Sequence, residues 1–285
     1  MVDLHTHSTA SDGTFSPREL VYLAKKVGLK ALALTDHDTI DGLPQAYQTA
    51  KEEGLPFLCG VEISVKFDGP GHFHLLGYFL EPPEELKEVL DKLKSARAER
   101  NKRMVEKLRE LGIDITLDEL QSIASGEIGR PHFAYLLVKK GYVKSIEEAF
   151  ERYLKKGAPA YYPKALLTEE EAISAIKKAK GIPVLAHPIT LKLSDEALKS
   201  YLIRLKELGL MGVEVYYSEH TKEYTKFLER LADELSLIKT GGSDFHGQNK
   251  PDIKLGLGFG NLRVPDECFY ELKRAISRFH RRAER

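Results

Sequence analysis

The chain has 285 residues, 42% of them hydrophobic and 30% charged, with Lys plus Arg and Asp plus Glu each numbering 43. This composition excludes global disorder, and zero net charge excludes a whole-surface attraction for nucleic acid, so any pull on an anionic substrate must be local. Cys59 and Cys268 are too few and too far apart for a disulfide framework. No stretch reads as a signal peptide and no apolar run reaches the roughly 20 residues of a membrane span, so the cytoplasm is the expected compartment.

Val2–Leu4 reads as a first strand. "SPRE" at 16–19 opens a helix, with Ser16 as cap, Pro17 in the first turn and Glu19 completing a capping box; Gly28 closes it. "ALALT" (31–35) is a buried-strand run, and a helix over 41–53 ends at Gly54. "FLCGVEISV" (57–65) and "HFHLLGYFL" (72–80) read as two strands, joined as a hairpin at Asp68-Gly69-Pro70-Gly71. Residues 82–156 are then helical in pattern, with breaks near Gly112, Gly126–Gly129 and Gly141. The strand–helix rhythm resumes at the Thr168/Glu171 capping box: strand 182–187, a helix from Ser194, strand 212–217, helix 221–235, strand 237–244, and an amphipathic helix from Pro265. The pattern predicts an α/β protein, a seven-stranded (β/α) barrel of mostly parallel strands. The expected divisions are 1–81 and 164–285 for the barrel and 82–163 for an inserted helical cap.

Polar residues gather where the strands end: His5, His7 and Asp12; Asp36 and His37; Glu62; His72 and His74; His187; Glu214 and His220; Asp244 and His246. In a β/α barrel those ends share one face. Each residue has a plainer reading alone. Asp36 or Asp38 could cap the next helix, Asp12-Gly13 could be a turn, and a single histidine could be a surface group. Seven of the ten histidines, His5, His7, His37, His72, His74, His187 and His246, lie at or just past strand ends, which is more than hydrophobic strands require, and a mixed His/carboxylate metal cluster requires it. Imidazole and carboxylate without thiolate suit Mn, Zn or Fe, and so many donors exceed one tetrahedral ion, so two or three divalent ions are expected. A hydroxide bridging two of them, attacking phosphorus in line, makes hydrolysis of a phosphate ester the preferred chemistry. The general acid stays unassigned.

"DLHTHSTASDG", "ALTDHDT", "GVEIS", "HLLGY", "LAHP" and "GSDFH" stand in this order over residues 3–246 and resemble the PHP (polymerase and histidinol phosphatase) family. The resemblance implies a distorted seven-stranded barrel with up to three metals. It implies one ion on His5, His7, Glu62 and Asp244, a second on Glu62, His74 and His187, and a third on Asp12, His37 and His246, with His72 the rival of His74. Within the family the chain looks most like bacterial 3′,5′-nucleoside bisphosphate phosphatases and related 5′-to-3′ exoribonucleases. "ARAERNKRM" (96–104) and "GRPHFAYLLV" (129–138) carry that likeness. It implies that Arg97, Arg100, Arg130 and His132 contact a substrate phosphate; Asp12, and His220 in "YYSEH", are further candidate contacts beside that likeness. By spacing alone, Arg97 and Arg100 share one helix face and read as a solvated stripe, and His132 reads as a helix-start residue. The expected partner is a small nucleotide, with short single-stranded RNA as a second substrate. The rivals are another phosphatase of the family, such as one for histidinol phosphate, and a non-catalytic metal-dependent binding module.

Overall fold

The computed structural model of the protein describes residues 1–124 and 128–283, with the side chains of His280, Arg282 and Ala283 left aside. The break read at Gly126 and the last two residues of the tail lie outside them. The chain forms two compact units, Met1–Leu90 with Leu166–Arg285, and Asp91–Ala165.

In the first unit seven strands form one sheet in sequence order: β1 (Val2–Asp3), β2 (Ala31–Leu34), β3 (Phe57–Val65), β4 (Phe73–Phe79), β5 (Ile182–Leu185), β6 (Gly212–Tyr217) and β7 (Ile238–Gly242). The sheet curls into a nearly closed barrel. Across the seam Leu4 N–H donates to the Gly241 carbonyl at 3.1 Å, Asp244 N–H to His5 at 2.9 Å and His7 N–H to Phe245 at 2.9 Å. Gly242 permits this approach, because a Cβ there would lie 2.3 Å from the Cβ of His5.

The strands are not all parallel. β4 runs antiparallel to both β3 and β5, whereas the β1–β2–β3 and β5–β6–β7 pairings are parallel. The link from β3 to β4 is too short for a crossover helix, so β4 must return as a hairpin. That reversal corrects the expectation of strand C-termini throughout. His74 lies at the start of β4, and only the antiparallel run brings it to the rim where the other strands end.

Helices α1 (Pro17–Lys26) and α2 (Leu43–Glu53) follow the first strands. Beyond the insertion come α7 (Glu169–Lys178), α8 (Asp195–Leu208), α9 (Lys222–Glu234) and α10 (Asp266–Ala283). Ser16 and Thr168 cap α1 and α7 with reciprocal Glu19 and Glu171 bonds. Leu272 and Ile276 of α10 are fully buried in one core with Val2, Ala33, Leu76 and Val184 of the strands. Each such side chain contributes about 1.5–3 kcal/mol by leaving water.

The second unit holds most of α3 (Lys87–Glu110), then α4 (Leu117–Ile123), α5 (Arg130–Lys139) and α6 (Ile146–Ala149), which continues into a π-helical turn, Phe150–Leu154. Its own core joins Met104 and Leu108 of α3 to Leu120, Phe133, Leu137 and Leu154. Among the described residues no helix is long and apolar enough to cross a membrane.

Candidate metal centre

The rim begins where β1 ends. His5 and His7 alternate with Thr6, so both rings face inward, and both are fully buried. The loop after them turns on Asp36, which accepts Ser8 N–H at 2.7 Å, the Ser8 hydroxyl at 2.7 Å and the Ser11 hydroxyl at 2.6 Å. Asp12 is thereby held beside the histidines. Asp38 accepts Ser64 N–H at 2.7 Å, and the cap position of α2 is Gly42. Neither aspartate is a helix cap; both tie the rim loops together.

Glu62, fully buried on β3, is the hub. Its Oε2 lies 3.1 Å from His5 Nε2, 3.3 Å from His7 Nε2 and 3.2 Å from His37 Nδ1. Its Oε1 lies 2.9 Å from His74 Nδ1 and 2.8 Å from His187 Nε2. Asp244 Oδ1 is 3.1 Å from His7 Nε2 and 3.4 Å from His246 Nδ1, and Asp12 Oδ1 is 3.2 Å from His246 Nε2. His187 and Asp244 reach these places with φ of +22° and +58°, a conformation costing about 1–3 kcal/mol for a residue with a Cβ.

These contacts cannot all be hydrogen bonds. His5 Nδ1 donates to Glu214 Oε1 at 2.9 Å, so in its neutral form Nε2 turns a lone pair toward Glu62. The Thr190 hydroxyl has carbonyl acceptors at His187 and His72; donating to either makes His187 Nδ1 the donor in their 2.9 Å contact. Its Nε2 then also faces Glu62 as a lone pair. A lone pair against a carboxylate at such distances is repulsive unless a proton or a metal ion lies between. His7 has both ring nitrogens buried without a hydrogen bond, and His74 Nδ1 is the same. Buried polar atoms left unpaired in this way are costly, so a cation that they ligate fits the site.

Among the described residues three groups of donor atoms could each hold an ion, with all atoms of a group within 4.8 Å of one another: His5, His7, Glu62 and Asp244; His37, Glu62 and His74; and His7, Asp12, His37 and His246. The first contains the four residues expected for one ion. The second has His37 where the sequence reading had His187, and the third adds His7 to Asp12, His37 and His246. His72 is in none of the groups.

Protonation follows the same geometry. Burial works against charge on His5 and His7, but Glu214 and Glu62 hold His5 well above the usual range, and Asp244 and Glu62 push His7 up to about 9. Burial pulls His37 down to about 3. Against their own burial, Glu62 and Asp244 are held well below the carboxylate range, chiefly by the surrounding histidines.

A cavity of about 220 Å³ opens onto the centre, lined by His37, Glu62, His74, His187, Tyr217 and Lys250 among others. Four groups here escaped sequence reasoning. Glu214 was noted at a strand end without a role; it orients His5 and accepts the His187 N–H at 2.7 Å. Thr190 positions His187. Lys250 Nζ (2.6 Å) and the Tyr217 hydroxyl (3.1 Å) both donate to Asp244 Oδ2. Lys250 sits in a loop of ordinary surface composition and has no sequence signal. His220 does not line this cavity: its Nδ1 donates to the Val215 carbonyl at 2.9 Å and its ring packs edge-on to Tyr217.

In the helical unit, Arg97 and Arg100 are buried, at 8% and 5% exposure, so the solvated-stripe reading fails. Arg100 donates to the Tyr162 carbonyl and the Asn101 side chain, and Arg130 donates to the Leu154 carbonyl. The Arg130 guanidinium also sits 5.7 Å from the Phe150 and Tyr161 ring centres. Burial, then Arg130, then Arg97 lower the Arg100 pKa to about 10, which reports three guanidiniums close together. Among the described residues no carboxylate pairs with Arg100 or Arg130. His132 Nδ1 accepts the Gly129 N–H at 3.0 Å, a helix-start role.

The family model described as PHP domain matches residues 3–162. A 5′-3′ exoribonuclease of Haemophilus influenzae is 39% identical over 86% of this chain and 89% of its own length. A 3′,5′-nucleoside bisphosphate phosphatase of Chromobacterium violaceum is 34% identical over 88% of this chain and 90% of its own. Among solved structures, a candidate metal-dependent phosphoesterase from Bifidobacterium adolescentis superposes with a TM-score of 0.77 at 34% identity, covering 96% of each chain.

Proposed function

The chain belongs to the PHP domain family and is a phosphoesterase, and from that premise we propose that it breaks the P–O3′ bond of a 5′-phosphorylated nucleotide. On a nucleoside 3′,5′-bisphosphate this releases inorganic phosphate. On a short 5′-phosphorylated oligoribonucleotide the same cleavage releases a 5′-mononucleotide, and the phosphate stays on the next nucleotide. The observation that carries the reading is Glu62, one buried carboxylate in contact with five histidines and shared by two of the three donor groups.

His5, His7, Glu62 and Asp244 would hold one divalent ion. Glu62 and His74, with His37 or His187, would hold a second, and Asp12, His37 and His246 a third. Mn, Zn or Fe suits these donors. Such ions supply an activated water at neutral pH and offset the charge that builds on the phosphoryl oxygens. The chain's own residues do the rest. Glu214 and Thr190 fix the tautomers of His5 and His187, as outer-shell partners of metal-bound imidazoles do. Tyr217 and Lys250 restrain Asp244. Arg97, Arg100 and Arg130 would grip the second phosphate through forked guanidinium bonds, and relatives named for a bisphosphate and for RNA support that assignment.

The test is a substrate panel on Mn-loaded protein. A nucleoside 3′,5′-bisphosphate should exceed histidinol phosphate in kcat/KM by about a hundredfold or more, the gain of a second anchored phosphate. The opposite order would replace this substrate with a monophosphate one.

A further inference from the structure

Phosphatase and exoribonuclease differ in one spatial demand. Both keep the leaving 3′-oxygen on the terminal nucleoside. Only the nuclease must also house the nucleotide that remains on the phosphoryl group. That nucleotide needs a second depression beside the cavity over the metal centre, on the barrel unit.

The barrel unit has one. A cavity of about 310 Å³ is lined by Tyr216, Tyr217, Ser218, Lys222, Lys226 and Arg263, with others. Tyr217 also lines the cavity at the metal centre, where its hydroxyl bonds Asp244. The segment 217–220 is thus a ridge with the donor cluster on one side and this second cavity on the other. Lys222 and Lys226 lie in the first turns of α9, whose N-terminal N–H groups favour a phosphate. The opposite wall is the loop through Arg263, packed so tightly that a Cβ on Gly258 would lie 2.6 Å from the Ser218 hydroxyl. In the same loop Phe259 is 56% exposed.

Lys222, Lys226 and Arg263 form no ion pair among the described residues, and the carboxylate lining the cavity, Glu229, is taken by the Tyr216 hydroxyl. Uncompensated cations beside exposed or half-buried aromatic rings are the combination that holds a single-stranded backbone and stacks its bases.

We propose that this cavity is the subsite for the nucleotides 3′ to the scissile bond of a short single-stranded RNA. The inference rests on the phosphoesterase reading above. Phosphates downstream of the cleaved one lie along Lys222, Lys226 and Arg263, and a base stacks in the depression bounded by Tyr216 and the loop carrying Phe259. A bisphosphate has nothing to place there.

The experiment compares the Mn-loaded wild type with a Lys222→Ala/Lys226→Ala/Arg263→Ala triple variant on two probes, a 5′-phosphorylated pentaribonucleotide and a nucleoside 3′,5′-bisphosphate. The variant should lose about tenfold or more in kcat/KM on the pentamer, show a shallower salt dependence there, and keep the bisphosphate rate within about twofold. The bisphosphate rate also reports that the variant is folded. Equal losses on both probes, or no loss on the pentamer, overturn the subsite. A wild type that dephosphorylates the bisphosphate but leaves the pentamer intact overturns the subsite while the phosphatase reading stands. Hydrolysis of neither probe overturns the proposed function, and the subsite with it.

Discussion

The barrel rim and the helical unit each gather charged side chains of one purpose, by different means. On the rim, residues from six strands meet because strand ends must, and positive and negative groups alternate so closely that Glu62 touches five histidines. In the helical unit, three arginines meet because α3 packs on α5, and neutral carbonyls, an amide and aromatic faces hold Arg100 and Arg130. The rim sets carboxylates against histidines and turns their donor atoms toward common points that a cation fits. Arg100 and Arg130 have no carboxylate partner among the described residues, which is the basis for proposing an anion there. Fold geometry makes the first kind of site, and helix packing makes the second.

The contrast can be broken most forcefully at Glu62. Glu62→Gln keeps the shape but removes the charge that two donor groups share. Activity on every substrate should fall by roughly a thousandfold or more, with bound metal lost in elemental analysis. Retention of both metal and rate would show that Glu62 is not the hub. The helical unit should respond selectively. Arg97→Ala and Arg130→Ala should each raise KM for a bisphosphate by about 10- to 100-fold, the worth of one charge-assisted pair, while a minimal aryl phosphate changes by less than about twofold. Parallel losses on the two substrates would mean that the arginines only hold the unit together.

The same contrast explains what could be read in advance. The rim was legible because its residues interrupt strongly apolar runs: "ALALT" turns into Asp36-His37, and "IPVL" soon reaches His187. Nothing in such a run calls for a histidine except the site. The reversal of β4 was only half legible. The turn at 68–71 marked a hairpin, but its consequence for His74 needed the barrel closed around it. Lys250, Tyr217 and Thr190 act through contacts far apart in sequence and look ordinary locally. Arg97 and Arg100 were hardest, since a charged helix looks the same whether its arginines meet water or, as here, are buried, Arg100 against the Tyr162 carbonyl and the Asn101 side chain.

The smallest expected effect separates the two regions by pH. In the metal-free protein His7 is raised from 6.5 to about 9: burial opposes its charge, and Asp244 and Glu62 outweigh it. A histidine raised on folding adds stability fully below its unfolded pKa, and that stability is lost as pH rises through the folded value. The metal-free Tm should therefore fall between pH 6.5 and about 9. A metal must displace that proton, so Mn affinity should rise across the same window, by up to about tenfold per pH unit for each proton released. Arg100, even lowered to about 10, stays charged throughout, so KM for a bisphosphate at saturating metal should not follow the same curve. Melts in chelator and Mn titrations at pH 6.5, 7.5 and 9 test this. An affinity flat with pH would mean that no proton occupies the place between His7 and its carboxylates, and the view of the rim as a cage closed by cations would fail with it.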